Sequence, residues 1–112
     1  MTHKELEDYF LAFPHTWLDF PFGEETSVYK VGDKAAGEGK MFALIQNESK
    51  PLRLSLKCDP NLAETLRAKY ETVLPGYHLS KKHWNTILCT GQLPDDELKA
   101  LVDLSYQLVS EA

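Results

Sequence analysis

His78, Lys81, Lys82, His83 and Trp84 fall together in the run HLSKKHW. Lysine ammonium groups pair with phosphates, and an exposed tryptophan stacks on an unpaired base. Arg53, Lys57, Arg67 and Lys69 lie just upstream and extend the set into a candidate nucleic-acid surface. A structural reading of the same residues stands beside it. Trp84 then caps a core, His83 satisfies a backbone carbonyl, and the lysines are solvated. His78 and His83 have no third ligand at motif spacing, so no metal is expected. Ser55, Ser80, Cys58 and the histidines are joined by no motif that sets a nucleophile beside a base. The chain therefore reads as a non-enzyme. The glycines between Gly32 and Lys40 lack both the Lys-Ser/Thr ending of a phosphate loop and the dinucleotide spacing, and no cofactor is expected. Cys58 and Cys89 form no CxxC pair and are expected as reduced thiols packed as small hydrophobes.

Charge is distributed unevenly. The 112 residues carry a formal net charge of −5, which argues against a generic nucleic-acid binder. Met1 to Ser49 is net −5, Lys50 to His83 net +4, and Trp84 to Ala112 net −4. The basic middle either forms a patch or pairs with the acidic ends across the fold. Hydrophobic content of 43% and charged content of 26% fit one folded domain spanning residues 1–112. No apolar run approaches a membrane span, and the acidic start MTHKELEDYF is unlike a signal peptide, so a cytoplasmic location is expected.

The elements that position these residues follow from periodicity and punctuation. Thr2 and Glu5 fit a capping box, opening a helix with Leu6, Tyr9, Phe10 and Phe13 on its buried stripe and Pro14 at its end. Trp17 to Phe22, broken by Pro21 and Gly23, reads as a loop or irregular edge whose aromatics plug the core. Ser27 to Val31, Met41 to Ile45 and Leu52 to Lys57 read as an antiparallel meander, with the second strand central. In the third, leucines alternate with Arg53, Ser55 and Lys57, which puts those three polar residues on one face. Asp59 as N-cap and Pro60 as first residue begin a second helix carrying Leu62, Leu66 and Tyr70. Val73 to Leu79 is a weak strand and Asn85 to Cys89 a better one. Pro94 or Asp95 opens a last helix with Leu98, Leu101, Val102, Ser105, Leu108 and Val109 on one face. Leu54, Leu56, Leu62, Leu66, Leu101 and Leu108 are expected to share one core. The fold class is α+β, with an antiparallel sheet of about five strands in the order α-β-β-β-α-β-β-α.

The segments SLKCDP, LR, PGYHLSKKHWNTI, GQLPDDEL and LVDLSY, in this order and spacing, resemble the YjbR/MmcQ family of small bacterial proteins. The likeness runs from about Ser55 to Tyr106, and HLSKKHW is its most specific piece. It implies a fold that has been compared with frataxin (CyaY) and with type III secretion chaperones. It also implies DNA binding through hairpin wings, and it supplies no catalytic or ligand residues. Two functions follow as expectations. One is DNA binding, mainly to phosphate, by the basic middle. The other is a protein-interaction or small-ligand module with an apolar groove anchored by Trp17, Phe20, Phe22 or Trp84. The partner is thus DNA or another protein, not a membrane, and the sequence leaves the oligomeric state open.

Overall fold

The computed structural model describes residues 1–111 of the 112. Nine elements follow in order: α1 (His3–Leu11), β1 (Thr16–Asp19), β2 (Thr26–Val31), β3 (Lys40–Gln46), β4 (Arg53–Lys57), α2 (Pro60–Lys69), β5 (Val73–Pro75), β6 (Trp84–Leu88) and α3 (Asp95–Ser110). The strands form one sheet in the order β1-β2-β3-β4-β6-β5, and every neighbouring pair is antiparallel. The expected α+β class and the central place of β3 hold.

The sheet has one strand more than expected. Thr16–Asp19 is a regular edge strand paired with β2, where the sequence suggested a loop or irregular edge. Pro21 and Gly23 lie beyond it and terminate it. They do not interrupt it. The capping box of α1 forms in full, with Glu5 N–H donating to Thr2 Oγ1 at 3.1 Å and Thr2 N–H donating to Glu5 Oε1 at 2.9 Å. Asp59 does stand at the N-cap of α2, but its carboxylate accepts no capping hydrogen bond. The start of that helix rests on Pro60, whose fixed φ suits the position.

One face of the sheet is covered by all three helices. Leu6 and Phe10 of α1, Ala63 and Leu66 of α2, and Leu98, Leu101, Val102 and Val109 of α3 share a core with Tyr29, Ala43, Ile45, Leu54, Leu56 and Ile87 of the sheet. Leu62 is half-buried against it. Leu108 does not belong to it. It is 42% exposed, as is Leu104 one turn before it, because the buried stripe of α3 runs through Leu98, Leu101, Val102, Ser105 and Val109.

A β-bulge marks the join of helix and sheet. Pairing between β2 and β3 passes from Tyr29–Ala43 to Lys30–Met41, so Phe42 has no partner on β2. Phe42 and Ala43 both enter the helix-side core, while Met41 packs on the opposite face. Fully buried Ser105 of α3 inserts its hydroxyl here. It accepts from the Lys57 amide at 3.0 Å and donates to the Phe42 carbonyl at 2.5 Å, satisfying two strand groups at once. The helices are further tied by phenol–carboxylate bonds. Tyr9 donates to Asp103, Tyr29 to Glu7, and Tyr70 to Glu97, at 2.7, 2.5 and 2.5 Å.

Ser105→Ala leaves the Phe42 carbonyl and the Lys57 amide without their partner. A loss of roughly 1–3 kcal/mol in urea unfolding is expected. Leu108→Ala, on the exposed side of the same helix, should stay within about 0.5 kcal/mol. Equal losses from the two would place the buried stripe of α3 wrongly.

The tyrosines give a pH signature. The hydrogen bond to Asp103, aided by burial, pushes the Tyr9 phenol up from 10.0 to about 12. Burial first, and Glu7 second, push Tyr29 up as well. The folded state holds the proton more tightly than the unfolded state, so the stabilisation is fully present below pH 10 and is lost as pH rises toward 12. Stability should therefore fall across this window, and Tyr9→Phe should make that fall shallower. An unchanged alkaline slope in the variant would remove Tyr9 from the linkage.

Candidate binding cleft on the open sheet face

The face away from the helices has no helix to cover it. Val28, Leu44, Ser55 and Thr86 lie in register across β2, β3, β4 and β6 on this side, and all four are buried. Trp84 packs with Val28 and Leu44, and Met41 and Leu79 close around them. The cover is the segment between β5 and β6, residues 76–83, which folds back over the strands.

Backbone bonds hold that segment in place. Gly76 N–H donates to the Trp84 carbonyl at 2.9 Å, and Trp84 N–H to the Ser80 carbonyl at 3.0 Å. Tyr77 N–H donates to Thr86 Oγ1 at 2.9 Å, and Thr86 Oγ1 shares a 2.8 Å bond with Ser55 Oγ. His78 takes a left-handed conformation at φ 57°, which turns the chain back toward β6. A side chain at Gly76 would bring its Cβ within 2.7 Å of Trp84 Cβ, so the approach of segment and strand requires glycine.

Between this segment and the turn that follows β1, an open cleft of about 360 Å³ remains. Phe22 and Glu25 come from the turn, Leu44 from β3, and Tyr77, His78 and Leu79 from the covering segment. Thr26 and Gln46 complete the lining, joined by a 3.3 Å hydrogen bond. Phe22 is 61% exposed and Tyr77 45%, so two aromatic rings stay in water at its walls. Phe22 and Phe20 therefore do not plug the core as expected. Trp17 is half-buried on β1, with Lys30 5.2 Å from its ring. Glu25 is exposed, and its carboxylate has no ion pair among the described residues.

The nine cationic and aromatic residues singled out in the sequence are not gathered into one free surface. Trp84 is 7% exposed and offers no face for a base, because the 76–83 segment and the Val28–Leu44 cluster enclose it. Arg67 spends its donors inside the protein, with Nε to Asn85 Oδ1 at 2.6 Å and a terminal nitrogen to the Lys81 and Trp84 carbonyls. Asn85 in turn donates to the Ala63 carbonyl, so this set staples α2 to β6. Lys81 Nζ donates to the Gly76 carbonyl at 3.1 Å. Arg53 is half-buried 5.2 Å from the Tyr77 ring, and Lys69 lies 5.0 Å from the Tyr70 ring on α2. Lys57 is half-buried, while His78, Lys82 and His83 are exposed. The His83 carbonyl accepts from Cys58 N–H at 2.8 Å. Cys58 and Cys89 are free thiols, and burial pushes both pKa values up, away from reactivity.

Sequence reasoning missed Glu25, Leu44 and Tyr77 as neighbours. They come from separate segments that the sheet register and the fold-back of residues 76–83 bring together. Among the described residues no cluster of three His, Cys, Asp or Glu side chains is set to hold a metal, and no helix is long and apolar enough to cross a membrane.

A family model described as YjbR matches residues 11–108. Over 109 residues the chain is 38% identical to protein YjbR of Escherichia coli K12, covering 96% of this chain and 86% of that protein. It is 31% identical to protein YbdF of Escherichia coli O157:H7, covering 96% and 83%. Among solved structures, the Deinococcus radiodurans protein DR2400, described by the family domain DUF419, superposes with a TM-score of 0.92. That match has 41% identity and covers 98% of this chain and 79% of that one. A Pseudomonas syringae protein superposes with a TM-score of 0.81 at 29% identity, covering 97% and 99%.

Gly76→Ala should cost about 1–3 kcal/mol, since the contact is with a Cβ that cannot rotate away. Amide exchange at Tyr77 should rise with it, because the covering segment is displaced. A variant as stable as the parent would mean that the segment does not seal the open face.

Proposed function

The chain belongs to the YjbR family, and on that premise we propose that it is a non-catalytic binding module that holds its ligand in the open-face cleft. The observation that carries the reading is the pair of exposed rings, Phe22 and Tyr77, flanking the apolar floor at Leu44. Water-exposed aromatics around a concavity of this size match the usual make-up of small-ligand sites. Glu25 and His78 also line it but share no hydrogen bond, so the reading gives them no acid–base chemistry.

Phosphate-directed DNA binding is the second reading. It is supported by exposed Lys82 and His83 beside each other, with His78 exposed in the same segment. The first reading is favoured because Arg67 and Lys81 are committed to internal carbonyls and Trp84 is enclosed. A phosphate-tracking surface needs several free cations, and its affinity falls steeply with salt.

Two titrations separate them. Methyl-detected NMR with neutral, cationic and anionic monocyclic aromatic fragments should move Leu44 and Leu79 signals. Titration with single- and double-stranded DNA at low salt should give no binding that weakens steeply with salt. If DNA binds with a steep salt slope that Lys82→Ala flattens, and the fragments leave Leu44 unmoved, the second reading replaces the first.

A further inference from the structure

We infer that the cleft selects a small organic cation carrying apolar or aromatic groups; the inference rests on the cleft being the binding site. Three features converge on that class. Two aromatic rings, Phe22 and Tyr77, stand in the lining, and the face of an aromatic ring carries the negative end of its quadrupole, which attracts ammonium and guanidinium groups. Tyr77 already displays this preference, with the Arg53 guanidinium 5.2 Å from its ring. Arg53 itself does not line the cleft.

The second feature is charge. Glu25 is the one carboxylate of the lining, and neither Lys nor Arg appears there. Its side chain has no hydrogen-bond or ion-pair partner among the described residues, so it is free to meet an incoming cation. An anionic ligand would meet that carboxylate. The third feature is size. A cleft of about 360 Å³ lies near the lower end of ligand pockets, which fits a single-ring or branched ammonium compound. Leu44 and Leu79 supply the apolar contact for its substituents.

The test uses phenyltrimethylammonium, its neutral carbon isostere tert-butylbenzene, and benzenesulfonate, titrated into the intact protein and followed at the Leu44 and Leu79 methyls. The cation should bind more tightly than the isostere by about five- to tenfold, the range expected of a cation over exposed rings beside one carboxylate. Benzenesulfonate should bind least. Glu25→Gln should abolish most of the difference between cation and isostere, and Phe22→Ala should weaken the cation. Both side chains are exposed, so neither change threatens the fold. Equal binding of cation and isostere, or a preference that survives Glu25→Gln, overturns the inference and leaves the cleft as an apolar site. Failure of all three probes to move the Leu44 and Leu79 signals overturns the inference and the binding-site reading together.

Discussion

A sheet has two faces, and the described residues form three helices, all of which pack on one of them. The other face must still be kept from water, because it carries Val28, Leu44 and Trp84. That constraint organises the rest of the molecule. A single short segment, residues 76–83, does the covering, and it succeeds by tying its backbone to the strand beneath it. Backbone groups of the segment find partners on β6, within the segment, at Cys58 and at Arg67 of α2, and such pairing is the condition for burying irregular chain. The cover stops short of the turn after β1, and the gap between them is the cleft.

The two faces are held by different means. On the helix side, close apolar packing is reinforced by phenol–carboxylate bonds between elements far apart in sequence. On the open side, the segment depends on backbone hydrogen bonds and on a cation from across the sheet. Arg67 reaches from α2 to the Lys81 and Trp84 carbonyls and so anchors the cover to the helix layer. Its role is that of a strut, which a count of positive charges cannot distinguish from that of a phosphate ligand.

Much of the fold was legible in the sequence because its signals were local. The capping box at Thr2 and Glu5, the period-two leucines of β4 and the helical spacing of α3 each report one element without reference to the others. The resemblance of the second half to a known family was equally local, since its motifs are contiguous. What escaped depended on register or on partners. Thr16–Asp19 became a strand because β2 was there to pair with it. Leu108 sat within the plausible arc of its helix, yet the sheet is met by Ser105 and Val109. The basic run was legible as composition, but composition does not tell whether a donor is already spent. The cleft was least visible of all, because its lining comes from three segments that no spacing rule connects.

The hydroxyl of Ser105 has one further consequence. β3 and β4 are adjacent in the chain, and β6 completes the sheet around them well before α3 begins. Yet the amide of Lys57 and the carbonyl of Phe42 find their partner only in residue 105. During synthesis the strands emerge first, and water must serve these two groups until the last helix has left the ribosome. Two groups on neighbouring strands are thus satisfied from the far end of the sequence. A chain cut short before Ser105 would leave both groups without this partner.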